Sequence, residues 1–336
     1  MTRYLWAGLA LLGLLLATTA CGSGQTDGAT LTVYSGRNER LVGPLLERFA
    51  QETGTDIKVR YGDTAELAAT ILEEGDQSPA DVFLAQDAGA LGALAKAGRL
   101  RTLSDALLKQ VDERFRAPNG QWVGLSGRAR VVAYNTKLLQ PADLPDSILG
   151  FTDPKWTGKL GWAPTNGSVQ AVVTALRLTE GEAGAKAWLE GIQRNQPKVY
   201  PNNIAIVDAV GKGEIGAGFV NHYYLYSFLR EQGDQFPVRN YHPRAGGPGA
   251  MVNVAGIGIL TTAKHTQVTE RFLAFLLGKE AQQYFAQETF EYPLAPDVPT
   301  LPGLEPLSSI KAPKLDLGNL ADLEGTLRLL RETGVL

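Results

Sequence analysis

The sequence predicts an α/β protein built as two lobes around a cleft. Three observations lead there. The chain has 336 residues, and at roughly 150 residues per domain that is about two domains. Residues 30–98 alternate between strand-like and helix-like periodicity. A second alternating set follows the first. This alternation is the pattern of a parallel sheet flanked by helices.

The elements follow in order. Residues 30–34 (TLTVY) read as a strand, and 38–52 set Leu41, Val42, Leu45, Leu46 and Phe49 on one helical stripe. Residues 56–61 (DIKVRY) alternate as a strand. Asp63 and Thr64 cap a helix over 65–74, and Gly75 ends it. Residues 81–85 (DVFLA) form a buried strand, and 88–97 a helix closed by Gly98. The second set opens with a strand over 131–134, then helices over 168–178 and 184–192. Val199 and Tyr200 make a short strand, 205–210 a helix, 215–220 a strand and 223–230 a helix. Residues 251–260 (MVNVAGIGIL) read as a buried strand and 267–285 as one long helical stretch. Residues 293–313 are a proline-rich connection, and 323–330 make the last helix. Ligands of open α/β sheets sit at the carboxyl ends of strands, near helix N-termini. Two such lobes describe a cleft binder that closes by a hinge motion.

Composition excludes several classes. Hydrophobic residues are 44% and charged residues 20%, an ordinary globular balance that rules out a disordered or collagen-like chain. The net charge is -3 and neither half is strongly basic, which argues against nucleic acid as a partner. The three histidines, His222, His242 and His265, are too few and scattered for most zinc or copper sites. Arg3 and the apolar run 5–17 read as the n- and h-regions of a signal peptide over 1–20, because the run is too short to span a bilayer. Thr18, Thr19 and Ala20 lead into Cys21, the only cysteine. This resembles the lipobox of a bacterial lipoprotein. It implies a lipidated Cys21 and a flexible tether over 21–28, holding the chain on the outer face of the cell membrane. A plain secretory signal with an incidental cysteine is the alternative.

Enzyme signatures are missing. There is no Gly-x-Ser-x-Gly elbow, no Walker A loop and no His-Glu-x-x-His. Gly211, Gly213 and Gly216 match G-x-G-x-x-G, but a helix precedes them and a strand follows, the reverse of a dinucleotide fingerprint. The expectation is a binding protein that catalyses nothing. A surface hydrolase is the reading from another class, without a recognisable nucleophile.

The most unusual local feature is Asn221-His222-Tyr223-Tyr224-Leu225-Tyr226, at a junction from buried strand to helix. The plain reading makes these tyrosines amphipathic core or rim residues. In a regular helix neighbours stand about 100° apart; at an irregular junction both can enter a cleft. Phenolate is a hard oxygen donor, and its usual pKa of about 10 means that only a strongly charged cation, such as trivalent iron, deprotonates it near neutrality. Two helix starts lie in the same lobe: Asn166, Gly167 and Ser168, and Asn202 with Asn203. They serve either as simple caps or as an anion cradle on free N–H groups.

Long stretches then match a known family: VYSGRNE, EEGDQSPADVFLAQD, LSGRARVVAYN, PKWTGKLGWAPTNG, VNHYYLYSF, GPGAMVN and FLLGKEAQQYF with EYPL. The chain resembles the periplasmic ferric-ion-binding proteins of bacterial ABC importers, also called bacterial transferrins. The resemblance runs from Leu31 to the C-terminal helix. It implies a type 2 periplasmic-binding-protein fold, two α/β lobes joined by crossover hinge strands. The first lobe is then 29–128 and 253–303, the second 129–252 and 304–336. It implies Fe(III) held by Tyr223 and Tyr224. It also implies a synergistic carbonate or phosphate on Asn166, Gly167, Ser168, Asn203 and Asn221, with Arg128 or Arg130 for a carbonate. The implied partners are a permease and an ATPase, and the implied state is monomeric.

The chain departs from that pattern in the first lobe. Asn38 stands where the best-known members place a histidine ligand, and Gln86 where they place a glutamate. Glu39 stands where other relatives use a tyrosine, and Ser168 replaces a further family tyrosine. Two phenolates leave Fe(III) one positive charge, which neutral Asn38 and Gln86 cannot cancel. Glu39 is therefore expected to close onto the metal, unless it is only a solvated helix-start acid. The alternative function is a same-fold receptor for an organic or oxyanion ligand such as a phosphonate, polyamine or thiamine.

Overall fold

The structure is a computed structural model, and it describes residues 30–336. The signal peptide, Cys21 and the tether lie outside the described residues. Among the described residues no helix is long and apolar enough to cross a membrane.

The first set is β1 (Thr30–Ser35), α1 (Glu39–Thr53), β2 (Asp56–Tyr61), α2 (Thr64–Glu74), β3 (Val82–Ala85), α3 (Ala88–Lys96) and the short α4 (Asp105–Leu108). The predicted Asp63 cap is in place, accepting from the Ala65 N–H, and Asn38 likewise accepts from the Arg40 N–H, each satisfying a helix-start donor. β1 lies between β2 and β3, parallel to both.

β4 (Val123–Asn135) is the longest strand, and it starts well before the expected 131–134. Its first half pairs antiparallel with β9 (Val252–Ile259), up to Ala129 opposite Val252. From Arg130 it pairs instead with β7 (Ala217–Asn221). One strand thus serves two sheet regions, and Ala129 marks the crossover. The missed half is wholly buried, but Ser126, Gly127 and Arg128 interrupt its apolar pattern.

β5 (Leu160–Trp162), α5 (Gly167–Arg194), β6 (Lys198–Val199), α6 (Asn203–Lys212), α7 (Tyr223–Gln232) and β8 (Val238–Tyr241) complete the second lobe's layers. The two helices expected over 168–192 are present, running on from each other in α5 across a non-helical break at Gly181, whose φ of 74° only glycine adopts at little cost. The single helix expected over 267–285 is two, α8 (Thr266–Leu277) and α9 (Lys279–Gln287), separated at extended Gly278. β10 (Tyr292–Pro293) pairs with β4. The sheet order is β2-β1-β3-β9-β4-β7-β5-β6.

Aromatic side chains fill both cores. Phe49 of α1 meets Phe272 and Phe275 of α8 at 5.1 and 5.4 Å between ring centres. Phe219 of β7 packs with Phe151 and Trp188 at 5.3 and 5.9 Å. Each fully buried phenylalanine contributes about 1.5–3 kcal/mol. The C-terminal stretch joins the lobes again. Residues Leu317–Ala321 turn against α3, and there a Cβ on Gly92 would stand 2.1 Å from the Gly318 carbonyl oxygen. Immediately afterwards α10 (Leu323–Glu332) packs on α5, where the Thr174 and Thr326 hydroxyls lie 2.6 Å apart and Arg177 pairs with Asp322 at 2.8 Å.

Candidate metal and anion site

A cleft of about 660 Å³ opens where the carboxyl ends of β3 and β7 and the middle of β4 meet the starts of α2, α5 and α7. Ten of the residues singled out from sequence line it: Asn38, Gln86, Arg128, Arg130, Asn166, Gly167, Ser168, Asn221, Tyr223 and Tyr224. Asn203 is buried just behind, with Nδ2 donating to Asn166 Oδ1 at 3.3 Å and Ser168 Oγ at 3.4 Å. Glu39 is exposed on the first turn of α1 and is not part of the lining. Its charge instead helps to raise the pKa of Tyr61, after burial.

The tyrosine pair occupies the first two positions of α7. The rings are brought together at 4.3 Å between centres and 34° between planes. Burial, then the adjacent Tyr223, push the Tyr224 phenol well above its usual pKa. In the absence of a cation Tyr224 therefore rests as a neutral phenol.

Two arginines face this pair. Arg130 is 3% exposed, and among the described residues no carboxylate pairs with it. Its NH1 donates to Ser168 Oγ at 3.1 Å and its NH2 to the Phe219 carbonyl at 2.8 Å, while its Nε finds no acceptor. Burial lowers its pKa to about 9, and the two tyrosines act in the opposite direction. Arg128 NH2 donates to the Gln86 carbonyl, and its Nε too is without an acceptor. Asn203 Oδ1 is likewise unpaired. Buried cations and orphaned N–H groups cost energy until an acceptor arrives. The two unpaired guanidinium Nε–H groups can take an oxyanion beside two phenols. Ser168, which accepts from Arg130, donates both its N–H and its hydroxyl to Asn166 Oδ1, at 3.0 and 2.6 Å.

Among the described residues no group of three or more His, Cys, Asp or Glu side chains is placed to hold a metal.

Two features behind the cleft were not legible from sequence. Arg37 and Glu291, each 2% exposed, form a two-pronged ion pair at 2.9 and 2.8 Å. Ser126 Oγ adds a bond to the same carboxylate at 2.8 Å, and Arg37 also donates to Gln86 Oε1 at 3.2 Å. Burial alone would raise the Glu291 pKa; Arg37, Arg128 and Ser126 reverse that and hold it below the ordinary value. The second is His222, fully buried, whose pKa burial lowers to about 3. Its presence inside the Tyr-rich motif was the one signal available.

A two-lobed α/β molecule with a polar, anion-ready cleft at its hinge is a solute-binding protein. The chain belongs to the family of bacterial extracellular solute-binding proteins, whose model matches residues 45–312. It is 35% identical over 314 residues to the major ferric iron-binding protein of Neisseria meningitidis serogroup B, covering 91% of this chain and 93% of that one. It is 32% identical over 308 residues to the Fe(3+)-binding periplasmic protein of Serratia marcescens, covering 91% and 90%. Iron-bound HitA from Pseudomonas aeruginosa superposes with a TM-score of 0.83 at 34% identity, over 91% of this chain and 99% of that one. The fold is the expected two-lobe type 2 binding-protein fold.

Proposed function

We propose that the protein is an extracytoplasmic Fe(III) receptor that delivers iron to an ABC importer and catalyses no reaction. The observation that carries this reading is the Tyr223–Tyr224 pair, ring against ring beside two arginines with unpaired Nε atoms. Iron-binding relatives of nearly equal length support it.

In this reading Tyr223 and Tyr224 lose their protons to the entering cation and bind it as phenolates. Their two charges leave Fe(III) with one positive charge. An oxyanion, carbonate or phosphate, sits beside the metal on Arg130, Arg128, Asn166, Gly167, Ser168, Asn203 and Asn221. It relieves the buried cations and fills further coordination positions. Asn38 and Gln86 face the same space as neutral groups. Glu39, one residue beyond Asn38, completes the charge only when the first lobe swings onto the iron. Cys21 carries the lipid anchor, and a permease with its ATPase takes the iron from a monomeric receptor.

The test is optical. Metal-free mature chain is titrated with a ferric chelate in bicarbonate or phosphate. A visible tyrosinate-to-iron band that saturates at one equivalent, and is lost in Tyr223→Phe/Tyr224→Phe, is expected. No band in either buffer overturns the reading and favours an organic or oxyanion ligand, for which the unpaired arginines alone would serve.

A further inference from the structure

His222 precedes the tyrosine pair, faces away from the cleft and is 0% exposed. Every polar group on it is engaged. Its N–H donates to the Ala129 carbonyl at 3.0 Å, and the Ala129 N–H donates back to His222 Nδ1 at 3.0 Å. Its Nε2 lies 2.9 Å from the Phe290 carbonyl. A backbone N–H only donates and a carbonyl only accepts, so Nδ1 is the acceptor and Nε2 carries the proton. Its own carbonyl accepts from Asn240 Nδ2 at 2.8 Å.

The partners are what matter. Ala129 is the residue at which β4 passes from pairing with β9 to pairing with β7. Phe290 sits between α9 and β10, next to Glu291 of the buried Arg37 pair. Its φ of 58° is unusual for a bulky residue. α7 grips the same turn further along, with the Arg230 guanidinium 4.4 Å over the Phe290 ring. The imidazole therefore ties three bodies at one point: the crossover strand, the Phe290 turn and the helix start that presents the phenols. It also stands edge-on to the Tyr223 ring, 5.7 Å between centres.

We infer that His222 is the positioning residue of the iron site, holding the first turn of α7 so that both phenolates reach one metal ion. This rests on the tyrosine–iron reading above. His222 touches neither iron nor anion; it acts by fixing the backbone from which Tyr223 and Tyr224 project. Groups of this kind behind a metal's ligands affect affinity by about 10–100-fold when removed.

The test compares iron-loaded mature chain with His222→Phe, which keeps an aromatic ring but neither ring bond. The expected result is a shifted or weakened tyrosinate band and iron release to a competing chelator faster by about tenfold or more. His222→Gln, whose amide reaches far enough to donate to the Phe290 carbonyl, is expected to recover most of the wild-type band and rate. Phe272→Leu, a core change in the first lobe, should lower the melting temperature without moving the band, separating positioning from general loss of stability. A folded His222→Phe with the wild-type band and release rate overturns the inference. Should that variant fail to fold, His222→Asn carries the test: it keeps an acceptor for Ala129 but no donor reaches Phe290, and a wild-type band there is equally fatal. Absence of any band in the wild-type chain removes the tyrosine–iron reading and this inference together. A wild-type band with unaltered variants removes this inference alone.

Discussion

Tyr223 and Tyr224 are consecutive in the chain, yet their rings lie 4.3 Å apart and only 34° from parallel. Mid-helix neighbours would diverge. Here the pair opens α7 directly after β7, and the end of the strand aims both at the cleft. Under the iron reading, Tyr223→Phe or Tyr224→Phe alone removes one of two anionic ligands. Each single change should weaken ferric binding by at least about 100-fold, and the double change should abolish the visible band. A competition titration against a ferric chelator measures both.

Under the iron reading, the cation must displace the proton of Tyr224, which burial raises well above its usual pKa. Each proton released makes affinity fall about tenfold per unit drop in pH. Ferric binding should therefore weaken as pH falls from 7 to 5, with up to two protons released per ion. Equal affinity across that range, measured at fixed free iron, would contradict phenolate ligation.

Arg130→Ala removes a buried cation that no carboxylate among the described residues pairs with. The expected outcome is a protein that still gives a tyrosinate band but loses most of the effect of added bicarbonate or phosphate on it. Thermal stability should hold or rise, because an uncompensated buried charge is removed. Calorimetric titration of the anion into the iron-loaded variant reads the first effect and a melting curve the second.

Glu39→Ala tests the closure ligand. In the structure its carboxylate is exposed and outside the lining. If it swings in on closure, iron release should speed by about tenfold while the band remains. An unchanged release rate assigns Glu39 to the surface of α1.

Glu291 is an acid-labile support. Its pKa is held below the ordinary value, so its contribution to stability is complete above the unfolded glutamate value, about 4.3. That contribution is lost as pH falls from there through the lower folded value. Melting temperature should therefore drop steeply below about pH 4, and less steeply in Glu291→Gln. At pH 7 the Gln variant should be less stable by about 3–5 kcal/mol, because Arg37 is left buried and unpaired.

The legible parts of the molecule are those with local period. β1 through α3 follow from alternation and caps within a few residues of each other, and they came out nearly as read. The first half of β4 did not, because Ser126, Gly127, Arg128 and Arg130 are buried for reasons outside the strand itself. The break at Gly278 was missed because the helical stripe was read straight through it, whereas the break at Gly181 falls in the gap read between two helices. The site divides the same way. The tyrosine junction and the Asn166 cap are contiguous motifs. Arg37 and Glu291 stand 254 positions apart, and nothing local in either segment announces the other. His222 is visible in the sequence only as one of three scattered histidines, because its partners are backbone groups of Ala129 and Phe290.

The C-terminal turn that rests Gly318 on Gly92 has a mechanical meaning. The chain passes between the lobes along β4, back along β9, and again at Asp322 between α3 and α5. Bodies joined by three separate threads lose most freedom to twist or slide, and what survives is a single swing. On the receptor reading, capture and release follow that one swing.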